Sequence, residues 1–492
     1  MDEAALNLLR RRELLRLAAG AVALGLPAVR ALGAQGAPGS PAAAQGDVLA
    51  EVGDYIAGGA TARLPDEVAE AARRHILDTL AAMVSGSRLI PGQFALRFVR
   101  AQGGRPEAQV MATRLRTSAI NAALANGMMA HADETDDSHR ATLVHPGAAI
   151  VPAALAMAEK QGASGATFLR GVVIGYEFAT RTVLALGPDQ VLQGSGATPA
   201  IGGCCGAAAA CAVIARLQKP VVPALLTYAV QQASGTNSWM RDAEHVEKSF
   251  VFGGMPARNG VTAATLAQLG FTSQPDPFSG ADNFFAAFSE RPDLSRLTAG
   301  LGRDFEILRT DMKRYPVGFP IQAATDAVLK LIAGGLVPAD IRSLVVRLPA
   351  PGVRTVDDRS MPDVNVQYIV AATLIDGALK FDTAHSLERM KDPAVLALKQ
   401  RITLVEDKEL TAQKRTREAN IELTRTDGRV LAEHGVTRGA YENPLPREDV
   451  EDKARELMTP IIGRQRCERT IQRVRDLERV ADMRALASLL QA

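Results

Sequence analysis

The sequence predicts an α+β fold in which a large all-α domain is completed by the C-terminus and a smaller α/β lid domain is inserted. Apolar residues recur at helical spacing from about 47 to 290, where strand signals are scarce. Between about 300 and 440, β-branched segments and a hairpin turn replace that period, which returns from 446 to 490. The expected boundaries are 46–297 for the helical domain, 298–442 for the lid and 443–492 for the completing helices.

Length and composition indicate a folded protein with more than one domain. The chain has 492 residues, of which 47% are hydrophobic and 22% charged, and this composition excludes extensive disorder. A net charge of +2 and an aromatic content of 4% argue against a nucleic-acid-binding protein. Four cysteines are too few for a disulfide scaffold in a chain of this length, and no histidines stand at zinc-site spacing beside them.

The first 45 residues are expected to be a signal peptide and a linker. A basic segment at 10–16 precedes an uncharged stretch of 13 residues at 17–29, which is the order of a secretory signal. The stretch is too short for a bilayer core of roughly 30 Å, so no stable membrane insertion is expected. Arg11 and Arg12, followed by a Leu-Leu pair after one residue, resemble a twin-arginine export signal. A periplasmic location is therefore predicted, with a cytoplasmic location as the alternative.

The predicted helix over 65–86 shows how the helical domain is built. Pro65 and Asp66 supply a start signal and Gly86 a stop, and apolar residues recur between them at steps of three or four. His75 lies in this apolar stripe, so we expect a hydrogen-bonded core histidine rather than a ligand. Similar patterns predict helices over 121–130, 146–161, 166–186, 202–217 and 221–233.

The lid segment is predicted to combine strands with helices. Residues 341–348 are rich in β-branched and aliphatic side chains and end at Pro349, as strands do. Asp427-Gly428 is a strong hairpin signal between two further short strands. The other predicted elements are strands at 402–405, 419–424 and 430–433 and helices at 321–332 and 364–379.

Chemically useful side chains are concentrated in residues 131–147, which hold three of the seven histidines and four carboxylates. Burying such a group of charges is costly unless each is paired or functional. If the stretch is helical, His131, Glu134 and Ser138 share one face. The cluster could then hold one group as a base and another as an acid near neutral pH. The alternatives are a solvated acidic loop before the helix at Pro146 and a site for a divalent metal.

The same segment resembles the signature of the MmgE/PrpD family, which contains 2-methylcitrate dehydratase and cis-aconitate decarboxylase. It reads His-Ala-Asp-Glu-Thr-Asp-Asp-Ser-His over 131–139, with His-Pro-Gly at 145–147. Other segments that agree in order are Ile-Leu-Asp at 76–78, Gly-Tyr-Glu at 175–177, the glycine-rich turn at 252–260 and Lys-Arg-Tyr-Pro at 313–316. The resemblance extends over nearly the whole chain after residue 47.

The resemblance implies a homodimer and an active site in the cleft between the two domains, without a metal or an organic cofactor. Asp136, Asp137 and His145 match the family pattern directly. Glu134 falls where the family usually has Asp, and Ser138 falls where Thr is usual.

Lys248 falls where the family has a Lys or Arg that could hold a substrate carboxylate. Three positions depart from the family pattern. The decarboxylase has a His-Pro-Pro element where this chain has Ala197-Thr198-Pro199, many members have a His near the position of Gly318, and a cleft Tyr falls near Val353. These departures argue against cis-aconitate decarboxylase and, less strongly, against 2-methylcitrate dehydratase, as does a periplasmic location.

Two classes of function follow from these observations. The first is a cofactor-free lyase, a dehydratase or else a decarboxylase or isomerase, that removes the proton α to a carboxylate of a small di- or tricarboxylate. His145 is the expected base, with Glu134, Asp137 and Ser138 as orienting groups or proton donors. The expected substrate-binding groups are Lys248, Arg258, Lys313, Arg314, Tyr315, Asp136 and His131.

The second class is a periplasmic carboxylate-binding protein that has lost turnover. For the lyase, we expect His145, Lys248 and Tyr315 to line a single pocket between the domains.

Overall fold

The computed structural model describes residues 42–492. The predicted signal peptide, the pair Arg11 and Arg12, and with them the predicted location, lie outside the described residues. Helix α1, Ala42–Gly58, begins within the segment that the sequence predicts to be a flexible linker.

The helical domain is built from helices of widely varying length. Helix α2 confirms the helix predicted over 65–86, and α8 begins earlier than predicted because Pro199 fits the first turn of a helix. The helices are α2 Asp66–Gly86, α3 Ile90–Gln102, α4 Ala119–Ala130, α5 Pro146–Gln161, α6 Gly165–Leu186, α7 Pro188–Gln193, α8 Thr198–Ile214, α9 Val222–Val230, α10 Val246–Ser249, α11 Met255–Gln268 and α12 Phe284–Phe288. Two short antiparallel pairs join β1 Ala108–Gln109 to β2 Arg116–Thr117 and β3 Ser138–His139 to β4 Thr310–Asp311.

The smaller domain contains a mixed four-stranded sheet in the order β6-β5-β7-β8. Strands β5 and β6 are parallel, and the other two pairs are antiparallel. The strands are β5 Ile341–Leu348, β6 Ile402–Glu406, β7 Glu418–Arg425 and β8 Val430–Val436, which confirms all four predicted strands. The helices are α13 Phe319–Ala333, α14 Ala350–Val356, α15 Val366–Asp376, α16 Phe381–Ala384, α17 Pro393–Lys399 and α18 Lys408–Ala412. Helix α13 packs on β7 and β8, and α15 packs on α13.

Two large hydrophobic cores lie in the described part of the chain. The first core consists of residues between Val52 and Met312 and between Leu445 and Leu490. The second consists of residues between Val317 and Leu423. The last helices are α19 Arg447–Ile462, α20 Arg464–Arg475 and α21 Arg484–Ala487, and α19 packs on α2. The predicted α+β class, a mostly helical domain with a smaller sheet domain, is confirmed. None of the helices within residues 42–492 has the length and apolar character needed to cross a bilayer.

Candidate active site

The segment from His131 to His145 is an irregular loop between α4 and α5, not the helix considered from its spacing. Ser138 pairs with Asp311 across the β3–β4 ladder, which pulls the chain into an extended conformation. Glu134 has a left-handed backbone, with φ of +53°, which a helix could not accommodate. The side chains of Glu134 and Ser138 are therefore not related by a helical face.

Two buried lysines from distant segments meet the carboxylates of this loop. Lys313 Nζ donates to Glu134 Oε2 at 2.9 Å and to Asp136 Oδ1 at 2.8 Å, and Lys248 Nζ forms an ion pair with Glu134 Oε1. Burial alone would raise the pKa of Glu134, but Lys248 and Lys313 outweigh it and hold that pKa well below its usual range. For the Lys313 ammonium, burial opposes the charge, and Asp136 and Glu134 raise its pKa above the ordinary value. Glu134 and Lys313 are therefore charged near neutral pH.

Asp136 also orients two histidines. Its Oδ2 lies 2.7 Å from Nδ1 of His131 and 2.9 Å from Nδ1 of His145. Burial would raise the pKa of Asp136, but His131, Lys313 and His145 lower it well below its usual range, so the carboxylate only accepts hydrogen bonds. Each Nδ1 is therefore the donor. In a neutral imidazole with this tautomer, Nε2 carries the free lone pair.

The two histidines differ in their surroundings. His131 is fully buried, and burial lowers its pKa to about 3, so the ring is neutral. Phe252 stacks on it with ring centroids 4.4 Å apart. The side chain of His145 is 13% exposed, which leaves it the more accessible of the two.

The glycine-rich segment that carries Phe252 is helical rather than a turn. Phe250–Gly254 forms a π-helical turn that runs directly into α11. A Cβ on Gly253 would lie 2.0 Å from the carbonyl oxygen of Gly127 in α4, so only glycine allows the two backbones to approach this closely. This contact holds Phe252 over the end of α4, where His131 begins the loop.

The structure adds two site residues that sequence reasoning missed, His245 and Asp363. His245 Nδ1 lies 3.1 Å from Asp363 Oδ2, and its Nε2 lies 3.3 Å from Glu134 Oε1. His245 stands three residues before Lys248, and this closeness in the sequence could have placed it near the site. Asp363 comes from the smaller domain, and nothing in its sequence neighbourhood indicates the contact. Both residues line a small cavity of about 50 Å³ together with His385.

A third lysine fixes the backbone around the cluster. Lys453 Nζ, from α19, donates to Asp78 Oδ1 at 2.6 Å, to the carbonyl oxygen of Thr135 at 2.6 Å and to that of Lys313 at 2.7 Å. The C-terminal helix thereby joins the loop of Glu134 to the segment that carries Lys313. Burial raises the pKa of Asp78 to about 6, although Lys453 opposes that rise.

Asp137 does not face the lysines, and its side chain makes its contacts inside the helical domain. Its Oδ2 accepts from the Tyr176 hydroxyl at 2.6 Å and lies 2.8 Å from His75 Nδ1, while its Oδ1 accepts from the Gly147 backbone at 2.9 Å at the start of α5. The predicted core position of His75 is confirmed. Because its oxygens are used inside the helical domain, Asp137 is not available to a substrate.

The structure does not bring three other candidate residues to the lysine–carboxylate cluster. The Tyr315 hydroxyl donates to Asp326 at 2.7 Å within the smaller domain. Arg314 lies 3.6 Å from Glu456. Arg258 donates to the side chain of its neighbour Asn259. Hydrogen bonds and ion pairs therefore link His145 to Lys248 through Asp136, Lys313 and Glu134, whereas the Tyr315 hydroxyl is directed elsewhere.

The positions that depart from the family pattern have apolar or backbone roles. Ala197 is buried beside Phe252 in a small apolar cluster. Gly318 precedes the first residue of α13, and Val353 packs against the core of the smaller domain. None of these three side chains can transfer a proton.

Within residues 42–492, two groups of side chains have the spacing of a metal site. They are His131, Glu134 and His245, and His131, Asp136 and His145, with one ligand atom from each within 4.8 Å of the others. A cation there would face Lys248 and Lys313, which already neutralise the two carboxylates. The two carboxylates therefore have little unbalanced negative charge with which to hold a metal ion.

Comparison with known proteins finds matches over most of the chain. The MmgE/PrpD N-terminal domain matches residues 50–297, and the MmgE/PrpD C-terminal domain matches residues 315–479. Cis-aconitate decarboxylase-like protein oryM of Aspergillus oryzae is 24% identical, covering 91% of this chain and 98% of the relative. Cis-aconitate decarboxylase of Homo sapiens is 26% identical over 87% of this chain and 91% of its own, and the enzyme of Mus musculus is 28% identical over 79% and 80%. The chain belongs to the MmgE/PrpD family.

Proposed function

We propose that this protein is a lyase that dehydrates a small di- or tricarboxylate without a cofactor. The proposal is carried by one observation: two buried lysines and two carboxylate-bound histidines converge at Glu134 and Asp136 from three distant segments. Family membership and the decarboxylase relatives support a lyase of carboxylates.

The chemistry follows from the charges in the site. A proton α to a carboxylate is weakly acidic, and its removal places negative charge on the carboxylate oxygens. Lys248 and Lys313 are the cations that would stabilise this charge. His145 Nε2 is the base, because Asp136 occupies Nδ1 and the side chain is accessible. The electron pair of the broken C–H bond forms the double bond, and the hydroxyl on the adjacent carbon leaves as water after it gains a proton.

The test is a panel of di- and tricarboxylates that includes cis-aconitate and 2-methylcitrate, with detection of new double bonds and of released carbon dioxide. With the substrate that is turned over, His145→Ala is expected to lower kcat by roughly 10²–10⁴-fold, the effect of a positioned base. Lys248→Met is expected to raise KM as well as lower kcat. The matched controls are His434→Ala and Lys330→Met, on the surface of the smaller domain.

The alternative is a binding protein on the same fold, which Ala197 and Gly318 favour because they replace histidines of the family pattern. Trp239 is the only tryptophan and lies 5.2 Å from Lys248 Nζ, so its fluorescence can report ligand binding. A carboxylate that changes this fluorescence but is not converted would replace the lyase proposal with the alternative. Turnover that survives His145→Ala within a few-fold would remove His145 as the base.

A further inference from the structure

His245 is a third carboxylate-bound histidine of the site, in addition to His131 and His145. Asp136 binds His145, and Asp363 binds His245. The His131 ring lies nearly perpendicular to both, with centroids 5.0 Å from His145 and 5.4 Å from His245. Two imidazoles, each oriented by a carboxylate, therefore lie beside the ring of His131.

The backbone at this contact is held in an uncommon conformation. His245 has φ of +63° and Glu134 has φ of +53°, both in the left-handed region. Residues in such conformations are strained and cluster at functional sites. The left-handed turn at His245 immediately precedes α10, which brings both His245 and Lys248 to Oε1 of Glu134.

In the described part of the chain, the Nε2 atom of His245 lacks an ordinary hydrogen-bond partner. Its Nε2 is buried and, among the described residues, makes no aligned hydrogen bond, although it points at Glu134 Oε1 from 3.3 Å. Buried polar atoms are nearly always hydrogen-bonded, so an unaligned one calls for an explanation. By contrast, His385, which lines the same cavity, has both ring nitrogens within 2.9 Å of backbone carbonyl oxygens of Asp133 and Phe381.

We propose that His245 is a second proton-transfer residue of this active site, oriented by Asp363, and that it protonates the leaving hydroxyl while His145 removes the α-proton. This inference rests on the proposed dehydration. The Nε2–H proton passes to the hydroxyl oxygen as the C–O bond breaks, and that oxygen departs as water with the bonding pair. His245 thus supplies an imidazole in a chain that has Ala197 and Gly318 where the family pattern has histidines.

The charges around His245 suit a proton donor. Glu134 and His131 face it from the loop, Lys248 from its own helix, and Asp363 and His385 from the smaller domain. Burial and the charge of Lys248 lower the pKa of His245. Asp363 and Glu134 raise it by more, to about 9. The ring therefore carries both protons at neutral pH and loses the donor as the pH rises through about 9.

The experiment uses the full-length protein and the panel substrate that it dehydrates. We expect His245→Asn to lower kcat by roughly 10²–10⁴-fold with a smaller change in KM, and to remove the alkaline limb of the kcat profile. Asp363→Asn keeps the imidazole and is expected to move that limb to lower pH, toward the ordinary pKa of histidine. His434→Asn is the matched control, because His434 also pairs with a carboxylate, at 3.0 Å, but lies exposed on the sheet.

A substrate analogue with fluorine in place of the leaving hydroxyl separates catalysis from structure. Fluoride leaves without a proton, so the loss caused by His245→Asn should shrink to a few-fold with the analogue. An equal loss with both substrates would assign His245 a structural role and overturn the inference, as would kcat of His245→Asn within a few-fold of wild type. Release of carbon dioxide instead of water would also overturn it. If the wild-type protein converts no carboxylate, the proposed function fails and the inference fails with it.

Discussion

Replacement of Lys453 by Met tests whether the C-terminal helix holds the site together. Lys453 is 2% exposed, and its ammonium is shared by the Asp78 carboxylate and two backbone carbonyls. Methionine fills a similar volume without the charge. The substitution leaves Asp78 buried with no cation, and its Oδ2 already lacks a hydrogen-bond partner among the described residues.

The expected loss is about 3–5 kcal/mol of unfolding free energy, the usual cost of removing one partner of a buried ion pair. The loss should depend on pH. The folded pKa of Asp78, about 6, exceeds its ordinary value of 3.8, so this carboxyl stabilises the fold at low pH and that contribution disappears as the pH rises through 6. Without Lys453, which lowers this pKa, the change moves to higher pH. The difference between the two proteins should therefore be larger at pH 8 than at pH 5.

The measurement is urea unfolding of both proteins at the two pH values, followed by circular dichroism. Asp78→Asn combined with Lys453→Met removes both charges and should recover part of the stability. A loss below about 1 kcal/mol at pH 8, or an equal loss at both pH values, would show that the Lys453–Asp78 ion pair contributes little to the unfolding free energy.

Three further outcomes are expected. Gly253→Ala should destabilise the protein by about 1–3 kcal/mol in urea unfolding, because the new Cβ meets the Gly127 carbonyl, and an unchanged midpoint would contradict this packing. Arg258→Ala should leave kcat and KM on the panel substrate within about twofold, and a larger change would return that residue to the site. Replacing Arg11 and Arg12 by Lys should retain the protein in the cytoplasm, as measured by fractionation, and an unchanged periplasmic yield would refute the twin-arginine route.

Local sequence signals predicted the elements that local interactions determine. The helix at Asp66–Gly86 follows from its apolar period, and the hairpin of β7 and β8 follows from the turn at Asp427-Gly428. The family motif selected the loop and both lysines of the cluster. These signals required no knowledge of distant contacts.

What the sequence did not predict depends on contacts between distant segments. The loop is extended at Ser138 because it pairs with Asp311, more than 170 residues later. His245 meets Asp363 across 118 residues, and neither has a local pattern that names its partner. Tyr315 illustrates the reverse case, since it follows Lys313 closely but directs its hydroxyl to Asp326. Two residues that are close together in a motif therefore lie on the same segment, but their side chains can point in different directions.

The charges of the site compensate one another before a substrate binds. The acidic members are Glu134, Asp136 and Asp363, and the basic members are Lys248, Lys313 and protonated His245. The acidic loop therefore does not by itself repel a carboxylate, because each negative charge already faces a cation. A bound dicarboxylate nevertheless adds two negative charges to this neutral group.

That added charge should be met by protons taken up on binding. Nearby anions raise the pKa of a histidine, and His131 is neutral in the free protein because burial lowers its pKa to about 3. Binding enthalpies measured at pH 7.5 in buffers of different ionisation enthalpy give the number of protons taken up. We expect a positive number for the wild-type protein and for His434→Asn, and a smaller one for His131→Asn, because the neutral ring of His131 is the group that would gain the proton. Enthalpies that do not vary with the buffer would mean that the lysines alone accommodate the ligand, by exchanging Glu134 and Asp136 for its carboxylates.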